Sequence, residues 1–221
     1  MHPSMHRNER GSFVYYTCDR LPVRHAFTTK FGGVSRGDCE SLNLGFNRGD
    51  ERENVLENYR ILAEQLGMDE GRITMTKQIH DTQISVVTEG EAGMGLHQPM
   101  AWESDAIVTA LPETPLCGFY ADCVVTLFYD PATQTAGVAH AGWRGMAAGI
   151  LPKTVEVMAE KLGAKRESLI AVLGPSIRQE CFETDADVPE AMERLMGERV
   201  HPFIAEKGVK FHVDLQGIGV R

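Results

Sequence analysis

The stretch from Ala121 to Gly145 constrains this chain more than any other. Two apolar runs, residues 123–129 and 135–140, flank Asp130-Pro131-Ala132-Thr133. Asp in first place and Pro in second suit a type I turn, so the runs are predicted to fold back as an antiparallel hairpin. Pairing Asp130 with Thr133 puts Tyr129 opposite Gln134, Phe128 opposite Thr135 and, at the open end, Cys123 opposite His140. Directly opposed residues share a face, with Cβ atoms about 4.5–5.5 Å apart. A thiolate and an imidazole at that separation can hold one metal ion, since Zn–S is about 2.3 Å and Zn–N about 2.0–2.1 Å. A longer turn with a bulge would shift the register. The same residues also read as ordinary packing, because a Cys that opens an apolar strand often serves as a small core residue.

Around this hairpin the chain alternates between strand and helix signals. Residues 27–29 read as a strand running into Gly32-Gly33 and a polar loop that reaches Asn47. Asp50 with Glu53 three residues on forms a capping-box pattern. Val55, Leu56, Tyr59, Leu62, Ala63 and Leu66 then make one apolar face, and Gly67 supplies the stop. Further strands are predicted at residues 84–87, 105–108, 116–120, 169–173 and about 209–213. A helix is expected over 145–162, kinked at Pro152 or starting there, and another over 189–196. Residues 1–10 read as a frayed polar lead-in. Helices mixed with hairpin-linked and crossover-linked strands predict an α+β (mixed α/β) fold, with residues 1–221 as one domain.

The 221 residues suffice for one sizeable core. The net charge of −9 disfavours nucleic acid and anionic membrane as partners. No run is apolar for long enough to cross a bilayer, and the start lacks the apolar stretch of a signal peptide. Cys18, Cys39, Cys117, Cys123 and Cys181 are odd in number and widely spaced, which argues for reduced thiols and a cytoplasmic location. The expected assembly is a monomer or homodimer.

Asp122 and Arg144 flank the Cys–His pair, and Gly142 and Gly145 allow a backbone to approach a ligand. His80, at the edge of a predicted strand, is the best candidate for a third metal ligand, ahead of His25, His97 and His212. Two His and one Cys leave a fourth zinc position open, which is the catalytic arrangement. Lys30, Lys77 and Arg144 are cations suited to phosphate. Gly32-Gly33 is not a phosphate-binding fingerprint, and the zinc deaminase pattern of His-x-Glu with a later Cys-x-x-Cys is absent.

Eight motifs recur in a fixed order: Phe27-Thr28-Thr29-Lys30-Phe31-Gly32-Gly33-Val34-Ser35, Ser41-Leu42-Asn43-Leu44-Gly45, Lys77-Gln78-Ile79-His80, Ser104-Asp105-Ala106, Ala121-Asp122-Cys123, His140-Ala141-Gly142-Trp143-Arg144-Gly145, Gly174-Pro175-Ser176-Ile177 and His212-Val213-Asp214-Leu215. With these the chain resembles the YfiH-like proteins, the multicopper polyphenol oxidase or laccase-domain family. The resemblance implies a four-layer α/β/β/α sandwich similar to the catalytic domain of cytotoxic necrotizing factor. It implies a zinc site at His80, Cys123 and His140. It also implies phosphorolysis of purine nucleosides (adenosine, inosine, guanosine and methylthioadenosine), with adenosine deamination as a side activity. On that reading Lys30 and Arg144 hold phosphate, Asn43 and Gln78 contact ribose or base, and Asp105 and Asp122 fix the metal ligands from behind. The alternatives are copper-dependent oxidation of phenols, a peptidoglycan editing factor, a hydrolase with Cys123 as nucleophile and His140 as base, and a zinc-bearing scaffold without turnover. Two departures stand out. Lys30 replaces the family's usual Arg, which removes a planar two-pronged grip on phosphate. The helix and Cys-containing strand that usually follow the His-Val-Asp-Leu motif are also missing, so the domain is expected to lack its usual C-terminal segment.

Overall fold

The computed structural model describes residues 5–221. In chain order the first elements are strands β1 (Met5–Arg10), β2 (Phe13–Cys18) and β3 (Phe27–Thr28), helix α1 (Arg52–Leu66), and strands β4 (Thr74–Met75), β5 (Ile84–Val87), β6 (Ala106–Thr109) and β7 (Leu116–Cys117). Then come β8 (Val124–Asp130), β9 (Thr135–Ala141), α2 (Trp143–Ala147), α3 (Ile150–Leu162), β10 (Ile170–Leu173) and β11 (Glu183–Thr184). Helix α4 (Asp187–Met196), strands β12 (Ile204–Lys207) and β13 (Lys210–Val213) and helix α5 (Leu215–Gly219) complete the described chain.

The central sheet has five strands in the order β10-β8-β9-β6-β5, and β1-β2-β3 form a second sheet. Side chains alternate between the two faces of a strand, and this alternation builds the layers. Val124 and Phe128 of β8, Ala106 and Val108 of β6 and Ala139 of β9 pack against Met146, Ile150, Met158 and Met192 of the helices that follow. Their neighbours Val125, Ile107 and Val138 point the other way and pack against Cys18 and Phe27 of the second sheet. That sheet in turn buries Phe13 and Tyr15 against Val55, Tyr59, Leu62 and Ala63 of α1. The order is helix, sheet, sheet, helices, and the mixed α/β sandwich is as expected.

Four local expectations change. Residues 5–10 are not a frayed lead-in: β1 pairs antiparallel with β2 from Met5↔Cys18 to Arg10↔Phe13. Its charged, unalternating sequence is that of an edge strand, which repels further pairing and hides the usual apolar signal. Asp50 does not cap α1: Glu51 is the N-cap and makes no side-chain cap bond. Asp50 instead accepts hydrogen bonds from Ser35 (2.6 Å), Asn43 (3.0 Å), Asn54 (3.1 Å) and the Glu51 N–H (2.9 Å). Those from Ser35, Asn43 and Asn54 hold its carboxyl down at about 2. The helix expected over 145–162 is two helices, divided at Gly149, whose left-handed φ of 79° caps α3. Pro152 then falls in the first turn of α3, where a missing N–H costs nothing. The strand expected over 116–120 shrinks to Leu116–Cys117.

The hairpin forms, but with a longer turn. Asp130 pairs with Thr135, not Thr133, so His140 lies opposite Val125. The turn therefore holds residues 131–134, and Gln134 takes a left-handed φ of 57°. Asp130 dictates this choice. Its buried carboxylate accepts from the Ala132 N–H (3.0 Å), Thr133 Oγ1 (2.7 Å), the Lys165 N–H (2.8 Å) and Ser168 Oγ (2.6 Å). Burial alone would raise its pKa, yet these bonds, led by Ser168, hold it well below the usual carboxylate range. A depressed folded pKa contributes stability above the unfolded value that is lost as pH falls toward the folded one. Asp130→Asn should therefore lower the melting temperature by a constant amount at neutral pH, and the gap should close below about pH 4, near the unfolded carboxylate pKa. Thermal unfolding across pH checks this, and a gap independent of pH would refute it.

Candidate metal centre

The expected trio converges. One donor atom each from His80, Cys123 and His140 lies within 4.8 Å of the others. The two imidazole rings are 4.7 Å apart, centroid to centroid, and cross at 85°. Cys123 and His140 are not directly opposed as predicted, because the register is displaced by two residues. An even displacement keeps both side chains on the same face, so they meet diagonally. That face is the one between the two sheets, shared with Val125 and Val138. His80 arrives from the loop between β4 and β5 with a left-handed backbone, φ 61°. His140 is buried, Cys123 half-buried and His80 exposed, so the trio opens to solvent on the His80 side.

Asp105 organizes two of the three. It directly precedes β6, and the His140 N–H donates to its carbonyl at 2.7 Å. Its fully buried carboxylate accepts from His140 Nδ1 (2.9 Å) and from the backbone N–H groups of Ile79 (3.2 Å), His80 (2.9 Å) and Asp81 (2.9 Å). A carboxylate only accepts, so the Nδ1 bond puts the His140 proton there and leaves Nε2 as a lone pair for an ion. Burial lowers the His140 pKa and His80 lowers it further; together they outweigh the bond to Asp105, which raises it, so the net shift favours the neutral ring. Burial raises the Cys123 thiol, with the carboxylates of Asp122 and Asp105 adding to the effect. A thiol in this setting gives up its proton to an arriving cation.

Gly142 forms the wall of the centre. A Cβ there would lie 3.0 Å from His80 Cδ2, 3.2 Å from Cys123 Sγ and 3.6 Å from His140 Cε1. Its backbone, φ −64° and ψ 165°, suits any residue, so the glycine is needed for space. Gly142→Ala should leave the melting temperature of the metal-free protein unchanged and weaken zinc binding by about tenfold or more. A chelator-competition titration reads this, and unaltered affinity would refute it.

The other expected residues are placed as follows. Arg144 is exposed, stacks over Trp143 at 4.2 Å and lines an open cleft of about 440 Å³ between α2 and α4 with Arg194 and Leu195. Lys30 is exposed with its ammonium 5.6 Å from the Phe31 ring. Asn43 donates to the Gly45 carbonyl and to Asp50, and accepts from the Gly45 N–H, which ties it into its own loop. Gln78 bonds the Phe119 backbone. Asp122 is exposed beside Cys123. Sequence reasoning overlooked Asn58, whose fully buried amide accepts from the Val34 N–H and donates to Ser35 Oγ and the Asn43 carbonyl, each at 2.8 Å. The signal was present, since Asn58 is a polar residue inside the apolar stripe of α1, between Val55 and Leu62.

The family model for multi-copper polyphenol oxidoreductase laccases matches residues 24–221. The chain belongs to this family. Among relatives of this laccase family, a protein of Deinococcus radiodurans named purine nucleoside phosphorylase is 38% identical over 197 residues, covering 89% of this chain and 72% of its own. The purine nucleoside phosphorylase YlmD of Bacillus subtilis is 36% identical over 171 residues, and the match covers 76% of this chain and 62% of that protein's length. The crystal structure of YlmD from Geobacillus stearothermophilus superposes with a TM-score of 0.87 at 28% identity, covering 97% of this chain and 81% of that one. All five cysteines of this laccase-family chain are free thiols. No described helix is long and apolar enough to cross a membrane.

Proposed function

We propose that this chain is a cytoplasmic, metal-dependent purine nucleoside phosphorylase acting on adenosine, inosine, guanosine and methylthioadenosine, with adenosine deamination as a side reaction. The observation that carries the reading is the convergence of His80, Cys123 and His140 within 4.8 Å around the space that Gly142 leaves free. The names of the relatives point to purine nucleosides and phosphate as the substrate class. Two nitrogens and a thiolate fit zinc, and the space beside Gly142 fits an ion. In phosphorolysis a phosphate oxygen bonds to ribose C1′ as the bond from C1′ to the purine nitrogen breaks, and the electron pair leaves with the base, which takes up a proton. Positive charge builds on the sugar and negative charge on the base. His80, Cys123 and His140 would hold the zinc, which when bound would supply a fixed positive charge able to polarise an oxygen. Asp105 holds the His140 proton on Nδ1 and the ring turned toward the centre, while burial keeps the ring neutral. Arg144, two residues beyond Gly142, and Lys30 supply further positive charge for phosphate, Lys30 as a point charge without a fork.

The family's description points to copper, and Cys and His also suit that metal. Among the described residues, however, the cluster of three has donors for one ion and not for several. Elemental analysis of protein never exposed to added copper, run beside a phosphate-dependent assay on adenosine and inosine, tests the proposal. Zinc near one per chain with phosphate-dependent release of base is the expected result. Copper with phenol oxidation and no base release would overturn it.

A further inference from the structure

We infer that Gln78 is a positioning residue that ties the segment bearing His80 to the segment bearing Cys123; the inference rests on the metal centre proposed above. β4 and β7 pair in parallel, Thr74↔Leu116 and Met75↔Cys117, and the pairing then stops. Its last backbone link is the Thr76 N–H to the Cys117 carbonyl at 3.1 Å. Beyond that point the backbone leading to His80 is engaged elsewhere. The Lys77 carbonyl accepts from the Ser104 N–H at 2.9 Å, and the N–H groups of residues 79–81 all point at Asp105. The Gln78 side chain takes over the ladder. Its Nε2 donates to the Phe119 carbonyl at 2.7 Å, and its Oε1 accepts from the Phe119 N–H at 2.9 Å. A primary amide used in this way copies a peptide unit and extends the pairing by one step. Thr76 Oγ1 donates to the same Oε1 at 3.0 Å and fixes the rotamer. Both acceptor sites and one of two donors are thereby filled.

Gln78 lies two residues before His80, and Phe119 four before Cys123. Asp105 joins the His80 turn to His140. Together the two side chains connect all three ligand-bearing segments through bonds that need no ion, so the centre is preformed. Because Gln78 uses its carbonyl and one of its two N–H donors on Phe119 and Thr76, its main effect reaches a nucleoside through the metal.

The test is zinc affinity by chelator competition on the full chain, with kcat and KM for inosine at saturating zinc. Gln78→Met keeps the shape and loses every polar bond; Gln78→Glu keeps the two acceptor contacts and loses the donor. We expect zinc affinity to fall about 10–100-fold in Gln78→Met and by less in Gln78→Glu, with KM for inosine within about twofold of wild type. Asp130→Asn, which acts at the far end of the hairpin, controls for general loss of stability and should keep wild-type zinc affinity. Unchanged zinc affinity in Gln78→Met, or a raised KM with zinc affinity intact, overturns this inference and leaves the metal centre standing. A wild-type protein that binds no zinc overturns the metal centre and this inference with it.

Discussion

His80→Ala will lose its metal and its nucleoside cleavage together. Removing one of three donors leaves Cys123 and His140, too few to hold an ion against solvent. If the ion contributes about 4 kcal/mol to the transition state, the rate falls on the order of a thousandfold. The fold should survive, because His80 is exposed and its ring packs only at the rim of the centre, against His140. Its left-handed backbone, φ 61°, disfavours alanine, so His80→Asn is the sharper variant. Asn tolerates that conformation while supplying no imidazole. Both variants should show metal near background by elemental analysis and a melting temperature close to that of metal-free wild type. Full cleavage of inosine by metal-free protein would end the metal-dependent reading.

Asp105→Ala should be the most damaging substitution to stability near the centre. It strips the acceptor from three backbone N–H groups and from His140 Nδ1 in a place with no solvent exposure. Each buried donor left unpaired costs about 1–3 kcal/mol. Partial entry of water limits the total to about 3–5 kcal/mol, the range for breaking one side of a buried pair. For a domain of this size that lowers the melting temperature by roughly 10 °C. His140 also loses the bond that fixes its proton on Nδ1, so zinc affinity should drop in the same variant. Asp105→Asn retains a carbonyl acceptor and should fall between it and wild type. A melting temperature and zinc affinity both equal to wild type would show that the four bonds carry little weight.

What the sequence determined was local and periodic. The alternation along residues 123–129 and 135–140 placed Cys123 and His140 on one face, and that survived an error of two in the register because side-chain direction repeats every two residues. The stripe of α1 and its Gly67 stop were equally legible, as each depends on neighbours within a few positions. Tertiary structure decided the rest. The length of the hairpin turn was set by Asp130 bonding Lys165 and Ser168, more than thirty residues away. The polar strand β1 exists because β2 is there to pair with it. Gln78 read as a candidate ligand contact, and only the proximity of Phe119 shows where its amide is spent. Asp105 could be suspected, but its grip on His140 arises from the pairing of β6 with β9 and its grip on the His80 turn from the pairing of β6 with β5. A chain's own periodicity decides which way a side chain points; its partner across the core is fixed only when distant segments have bought their contacts against the entropy of closing the loops between them.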